Sequence, residues 1–371
     1  MYFADLNLTH FRNYYQQELH FSPQINCFVG ANGSGKTNLL DALHFLALTR
    51  GFRSTQDKFA VKKGETYFFN GATLVKNEAK LKIDVNYLKG KGKKVIFNQK
   101  PLVKMSEHIG RIPLITILPN DTELINGPSA GRRKFLDMLI AQYDHSYLNH
   151  LIHYEKILAQ RNALLKLMGE QRFFDKEQVE IWDTQLIPHG IAIYKGRESF
   201  LRDFMPYFEE FFKKIVSNEE KPFIEYRSQI EENTIDGWLK LMAEHQERDR
   251  VQQYTTGGTH RDDLNFHIND HSARNFGSQG QQKTFVISLK LAQYRLLERH
   301  TNIHPILLLD DIFDKLDEHR LQSIANLLDR DIQGQTFITD TSYERLAEVF
   351  SKNISREVKF FMVKDGVAQE W

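Results

Sequence analysis

The sequence predicts an α/β fold, a mixed sheet flanked by helices around a phosphate-binding loop, interrupted by a helical insertion lobe. Three observations carry that expectation. Phe28-Val29-Gly30-Ala31-Asn32-Gly33-Ser34-Gly35-Lys36-Thr37-Asn38 fits GxxxxGK(S/T), with the apolar Ile25, Cys27, Phe28 and Val29 before it and Leu39, Leu40, Leu43, Leu46 and Ala47 at helical spacing after it. Pro305-Ile306-Leu307-Leu308-Leu309-Asp310-Asp311 is an apolar run ending in two carboxylates, the pattern of a parallel strand whose polar end reaches the ligand-binding edge. Between them, from about Pro128 to Lys214, apolar residues recur at three- and four-residue steps, as long amphipathic helices require. The chain therefore divides into 1–127 and 217–371, the two halves of an α/β head, with 128–216 as the inserted lobe.

Each part of the loop has a chemical reason. Gly30, Ala31, Asn32, Gly33, Ser34 and Gly35 supply a tight backbone whose N–H groups turn inward on an anion, while Lys36 adds a point charge for β- and γ-phosphates. Thr37 offers its hydroxyl to Mg²⁺, and the helix from about Thr37 to Thr49 aims its positive end at the same phosphates, beside Asn38. Asp310 is placed to hold Mg²⁺, directly or through water. Asp311 then faces the γ-phosphate and positions or deprotonates the attacking water. Ser278-Gln279-Gly280-Gln281, at the start of a helical run to Leu297, presents a hydroxyl and free N–H groups to an anion.

Composition narrows the classes. At 371 residues the chain exceeds one small core, and no apolar run is long enough to span a bilayer. The N-terminus lacks the pattern of a signal peptide, and the single Cys27 sits in an apolar strand, which fits a reducing cytoplasm. A net charge of +1 does not by itself announce a nucleic-acid binder, so local clusters must carry that case. His145, His150 and His153 come nearest to a metal cluster, but no carboxylate or cysteine at ligand spacing completes it.

In chain order, residues 2–8 alternate as a strand and Phe11-Arg12-Asn13-Tyr14-Tyr15 forms a loop. Ala79 to Tyr87 alternates again and turns through Lys89-Gly90-Lys91-Gly92-Lys93-Lys94 into Val95-Ile96-Phe97, a hairpin whose basic tip is either a solvated turn or a phosphate contact. Gly131-Arg132-Arg133-Lys134 opens the helical lobe. Positive charge on a first helical turn opposes the helix dipole, which tilts the reading of this cluster toward an anionic partner over a merely solvated face. A polar helix follows from an N-cap at Thr234 to Gln253, and Asn269-Asp270 turns a hairpin between Leu264–Ile268 and Ser272.

Taken together, Gly30 to Thr37, Ser278 to Gln281, Asp310-Asp311 and Leu316-Asp317 resemble the Walker A, signature, Walker B and D-loop motifs of ABC-type ATPases. More narrowly, Phe11-Arg12-Asn13-Tyr14, Gly131-Arg132-Arg133-Lys134-Phe135-Leu136-Asp137, Thr259-His260-Arg261-Asp262-Asp263 and Ser278-Gln279-Gly280-Gln281-Gln282 resemble the RecF family, from Phe11 to Thr341. The resemblance implies an ABC-type head with a helical lobe, slow ATP hydrolysis with Mg²⁺, and ATP-linked homodimerisation on single- and double-stranded DNA and their junctions. It also implies recombinase loading at single-strand gaps with RecO and RecR. It adds Arg12 to the nucleotide contacts and, from a second copy, Ser278, Gly280 and Gln281. Arg132, Arg133, Lys134, Lys91, Lys93 and Lys94 become the DNA-contact candidates. Asp311 stands where ABC ATPases usually have Glu, Gly277 where the family has Ala, and Thr259 where it has Pro. No switch histidine occurs in Phe337–Thr341, which leaves Asp340 or Thr341 as the γ-phosphate sensor, and His260 and Arg261 could face nucleotide, DNA or the other lobe. A small-molecule phosphotransferase and a transporter motor subunit are the competing readings; the first has no need of a Ser-x-Gly-Gln helix start, and the second normally carries the missing histidine.

Overall fold

The computed structural model describes residues 1–54, 56–216, 220–313 and 317–371, and Leu316 of the expected D-loop lies outside them. The chain forms two compact units: Met1–Asp121 with Phe211–Asn218 and Val286–Trp371, and Thr122–Glu210 with Glu219–Phe285.

The first unit holds two sheets. One has six strands in the order Val367–Glu370, Val358–Lys364, Ile25–Val29, Thr336–Asp340, Ile306–Asp310, Leu114–Ile117; all neighbours are parallel except the first pair. Ile25–Val29, Ile306–Asp310 and Thr336–Asp340 are buried at every residue, as central parallel strands are, and the polar Asn26, Thr336, Thr339, Asp340 and Asp310 are buried with them. Register sets Val29 beside Asp340 and Asp310 beside Thr339, so the carboxyl ends of three adjacent strands finish together. The other sheet is antiparallel, with Tyr67–Lys76 and Ala79–Leu88 at its centre. The expected strand over residues 2–8 is two strands, Tyr2–Phe3 and Asp5–Thr9, broken at Ala4, whose N–H bonds to the Thr73 carbonyl.

The helix Lys36–Leu48 contacts strands of both sheets. Eleven of its thirteen residues are buried, so it is enclosed all round instead of showing one apolar face. Its polar residues are paired accordingly. Asp41, fully buried, accepts Arg12 Nε and Nη2 at 2.9 and 2.7 Å and the Phe52 N–H at 2.8 Å. Burial pushes the His44 imidazole down to about 4, against the pull of its bond to the Arg50 carbonyl.

The second unit is built on the helices Ser129–Tyr143, His145–Gln171 and, as far as Glu210, Lys176–Ile215, with Ile235–Gln252 and a three-stranded sheet of Pro222–Arg227, Asp263–Ile268 and His271–Ser272. Thr234 caps its helix by accepting the Gly237 N–H, as the sequence predicts, and Asn269 takes the left-handed turn position at φ 54°. The compact units depart from the expected boundaries. Residues 219–285, read as the C-terminal half of the head, pack with the helices, because two buried arginines tie them there. Arg161 joins Asp183 and Asp249 at 2.6 and 2.7 Å, and Arg197 joins Asp137 and Asp262 at 3.0 and 2.9 Å. Period alone cannot foretell ion pairs between residues so far apart in sequence.

Candidate functional site

The phosphate loop hangs between strand Ile25–Val29 and helix Lys36–Leu48, with Ala31, Asn32 and Gly33 exposed. Gly30 must be glycine: a Cβ there falls 2.2 Å from the Val363 carbonyl oxygen. Gly35 has φ 124°, and a Cβ would fall 2.6 Å from Asn13 Nδ2 and 2.8 Å from the Tyr14 hydroxyl. Lys36 folds over the loop, Nζ donating to the Gly30 and Ala31 carbonyls at 2.7 and 2.9 Å. Burial lowers its pKa, while Asp311, Asp310 and Asp340 pull the other way. The ammonium thus rests on two loop carbonyls, with three carboxylates near enough to favour its charge.

The loop also has a scaffold. Asn13 Nδ2 donates to the Ser34 carbonyl at 3.0 Å and its Oδ1 accepts from Asn38 Nδ2 at 2.7 Å; the Tyr14 hydroxyl donates to the Gly35 carbonyl at 3.1 Å. This gives the Phe11–Tyr14 segment its local role. Arg12, expected among the nucleotide contacts, braces the following helix through Asp41 and the Phe59 carbonyl at 2.8 Å. Arg53, which no sequence motif singles out, is exposed, donates to Asn38 Oδ1 at 2.7 Å and lowers the Asp310 pKa by its charge.

At the neighbouring strand end, Asp310 Oδ1 accepts two hydroxyls, Thr37 Oγ1 at 2.9 Å and Thr339 Oγ1 at 2.8 Å. Burial raises the Asp310 pKa and those two bonds oppose it. Asp311 takes φ 48°, and its N–H donates to Thr339 Oγ1 at 2.9 Å. For Mg²⁺ the donor set fits: hard oxygens from Thr37 and Asp310 meet at a strand edge, and a Thr hydroxyl that donates its proton to Asp310 keeps lone pairs for a cation. Among the described residues no cluster of three or more His, Cys, Asp and Glu could hold a metal by itself. Asp340 is corrected as a γ-phosphate sensor. Its fully buried carboxylate is taken by Arg345 Nη2 at 2.7 and 2.8 Å and by the Ser342 N–H at 2.8 Å. Thr341 is exposed.

In the second unit, Ser278 and Gln281 open the helix Gln279–Thr301 as a reciprocal cap: the Ser278 N–H donates to Gln281 Oε1 at 2.8 Å, and the Gln281 N–H to Ser278 Oγ at 3.2 Å. Gln281 Nε2 also donates to Glu220 Oε1 at 2.9 Å. Ser278 itself is exposed and Gly280 half-buried, so the turn meets solvent.

The basic clusters separate. Arg132 leaves the DNA-contact candidates: it is 6% exposed, paired in two bonds with Asp263 and donating to the Leu124 and Gly127 carbonyls. Arg133, half-buried, donates to Ser129 Oγ at 2.8 Å and the Asp262 carbonyl at 2.7 Å. For Arg132 the anionic partner that the first-turn charge calls for is the Asp263 carboxylate, within the chain itself. Lys93 leaves them too, held by Asp57 at 2.9 Å and the Thr49 carbonyl. Lys91, Lys94 and Lys134 are exposed. His260, half-buried, bonds the Tyr154 hydroxyl and the Thr255 carbonyl at 2.9 and 3.0 Å, and desolvation pushes it to about 4, which favours the neutral ring; Arg261 lies over the Tyr254 ring. His150 meets His189, a partner that spacing in the sequence does not reveal, at 2.9 Å.

Residues 2–369 match the family described as RecF/RecN/SMC N terminal domain. The DNA replication and repair protein RecF of Cytophaga hutchinsonii is 40% identical over 370 residues, covering 100% of this chain and 97% of that one; RecF of Flavobacterium johnsoniae is 41% identical, covering 97% and 99%. The chain belongs to the RecF family. Among solved structures, the recombination mediator protein RecF-ATPrS in the RecFOR pathway matches with a TM-score of 0.88 at 30% identity, covering 100% of this chain and 98% of the other. The Smc head domain of Pyrococcus furiosus matches at 0.57 and 17%, over 100% and 96%, and shares the fold alone. This RecF-family chain thus has the ABC-type ATPase head fold that its motifs predict. Among the described residues no helix is long and apolar enough to cross a membrane.

Proposed function

We propose that this RecF-family protein is a DNA-bound ATPase switch of recombinational and replication-gap repair. Two copies close around two ATP molecules, and hydrolysis separates them. The observation that carries the reading is the convergence of Lys36, Thr37, Asp310 and Asp311 at one edge of the parallel sheet, in a chain with full-length RecF relatives. Lys36 and the loop N–H groups hold the β- and γ-phosphates, and Thr37 and Asp310 hold Mg²⁺, which when bound neutralises charge on those phosphates. Asp311 orients the attacking water and accepts its proton. Its carboxylate reaches one methylene less far than Glu, which favours slow turnover. Ser278 and Gly280 of a second copy complete the cage, in keeping with their exposure at a helix start.

DNA meets the exposed Lys91, Lys94 and Lys134 through its backbone, with little sequence preference. Loading of recombinase at single-strand gaps with RecO and RecR, in the cytoplasm, completes the proposal by family. A phosphotransferase or transporter subunit is disfavoured by the family match along the whole chain. Light-scattering mass with and without ATP and duplex DNA tests the reading. Association that needs ATP and is strengthened by DNA supports it; a mass indifferent to ATP refutes it.

A further inference from the structure

We propose that the Thr339 hydroxyl is a positioning group that locks Asp310 and the backbone of Asp311 into one geometry, so that cation binding and hydrolysis both depend on it. The inference rests on the nucleotide-site reading above and names a residue outside its motifs. Thr339 is fully buried on the strand beside Ile306–Asp310, and pairs in register with Asp310. An N–H can only donate, so Thr339 Oγ1 must accept from Asp311, which leaves its single proton for Asp310 Oδ1. One hydroxyl thereby spans both residues.

Two features make this more than an ordinary satisfied threonine. Asp311 sits at φ 48°, a left-handed conformation uncommon outside glycine although Asp tolerates it better than most, and the Thr339 bond falls on that residue's own N–H. Asp310 receives Thr37 and Thr339 on the same oxygen, Oδ1, so its carboxylate is fixed from the loop helix on one side and the adjacent strand on the other; Oδ2 is left for a cation or its water. Valine at 339 fills the same space yet offers neither bond. Serine keeps both bonds and gives up only the methyl.

The test uses full-length T339V, T339S and wild type, with a fluorescent ATP analogue titrated first without Mg²⁺ and then with increasing Mg²⁺, followed by single-turnover hydrolysis. For T339V we expect metal-free affinity within about twofold of wild type, with the metal-dependent gain in affinity and the hydrolysis rate both reduced about ten- to a hundredfold. T339S should stay within about threefold of wild type in all three readings, because the hydroxyl is retained. A T339V protein that responds to Mg²⁺ and hydrolyses as wild type does overturns the inference. So does T339S as impaired as T339V, which would assign the effect to packing, or a T339V that loses metal-free affinity to the same degree. Wild type without ATP binding or metal response refutes the site reading itself, and this inference with it.

Discussion

Arg132 and Asp263 face each other in a two-bond ion pair, Nε to Oδ1 at 2.6 Å and Nη2 to Oδ2 at 3.0 Å, across 131 residues of sequence. With Arg133 on the Asp262 carbonyl and Arg197 joining Asp137 to Asp262, it makes Gly131–Asp137 and Thr259–Asp263 the two halves of one clasp inside the helical unit. Strand Asp263–Ile268 then turns into His271–Ser272, a single helical turn leads to Gly277, and Gln282, which accepts Asn126 Nδ2 at 2.9 Å, follows the signature. The clasp therefore stands at the base of the segment that carries Ser278.

If Arg132 is a clasp residue, Arg132→Ala should cost stability and leave DNA electrostatics alone. Removing one partner of a largely buried pair and the donor to two carbonyls should cost about 3 kcal/mol, read as a lower urea midpoint. The slope of log affinity against log salt should stay at its wild-type value, whereas Lys91→Gln with Lys94→Gln should shallow it by roughly one for each DNA phosphate no longer neutralised. A steep loss of salt dependence in folded Arg132→Ala would return this residue to the DNA face.

Stability should also fall in mild acid. Burial holds His44, His108 and His260 at about 4 in the folded chain, against an ordinary 6.5. Between those values the unfolded chain binds protons that the folded chain refuses, so the contribution is fully present above 6.5 and lost as pH falls toward 4. Going from pH 7 to 5 should cost about 2 kcal/mol per histidine. His108, whose Nε2 meets the Leu46 carbonyl at 2.7 Å, gives the cleanest check. His108→Gln should be less stable than wild type at pH 7 and show a shallower decline of the urea midpoint between pH 7 and 5.

Asp311→Asn tests the hydrolytic assignment. The amide keeps the size and can still hydrogen-bond a water, but it cannot take the proton, so turnover should drop by about two to four orders of magnitude while ATP binding persists. The closed pair should then outlive that of wild type in light scattering after ATP is diluted away. Parent-rate hydrolysis would remove Asp311 from that role.

The parts legible in the sequence were those in which chemistry is local. A phosphate loop, a capped helix at Thr234 and a hairpin at Asn269 each depend on residues a few positions apart, and all three stand where the residues place them. What could not be read were pairings across long separations. Nothing near Arg132 announces Asp263, nothing near Asp310 announces Thr339, and the Arg345 that occupies Asp340 is close in sequence but carries no motif. A run of positive charge looks the same on paper whether its counter-ion is DNA or a distant aspartate, and burial decides.

The division of one reactive cage between two copies can be examined by mixing variants. Lys36→Ala removes the phosphate-binding ammonium from a chain but leaves its signature turn, in which Ser278 and Gln281 cap each other. Ser278→Arg fills the signature turn with bulk and charge but leaves its own loop, where Lys36 rests on the Gly30 and Ala31 carbonyls. Each variant alone should hydrolyse little. In an equal mixture, random pairing makes about half the dimers mixed, each with one intact cage of two, so roughly a quarter of the wild-type rate should return if the cages act independently. The gain must rise with protein concentration, because it comes only from encounter. A mixture no more active than the sum of its parts would mean that each chain works with its own signature, and the two-copy scheme would be abandoned.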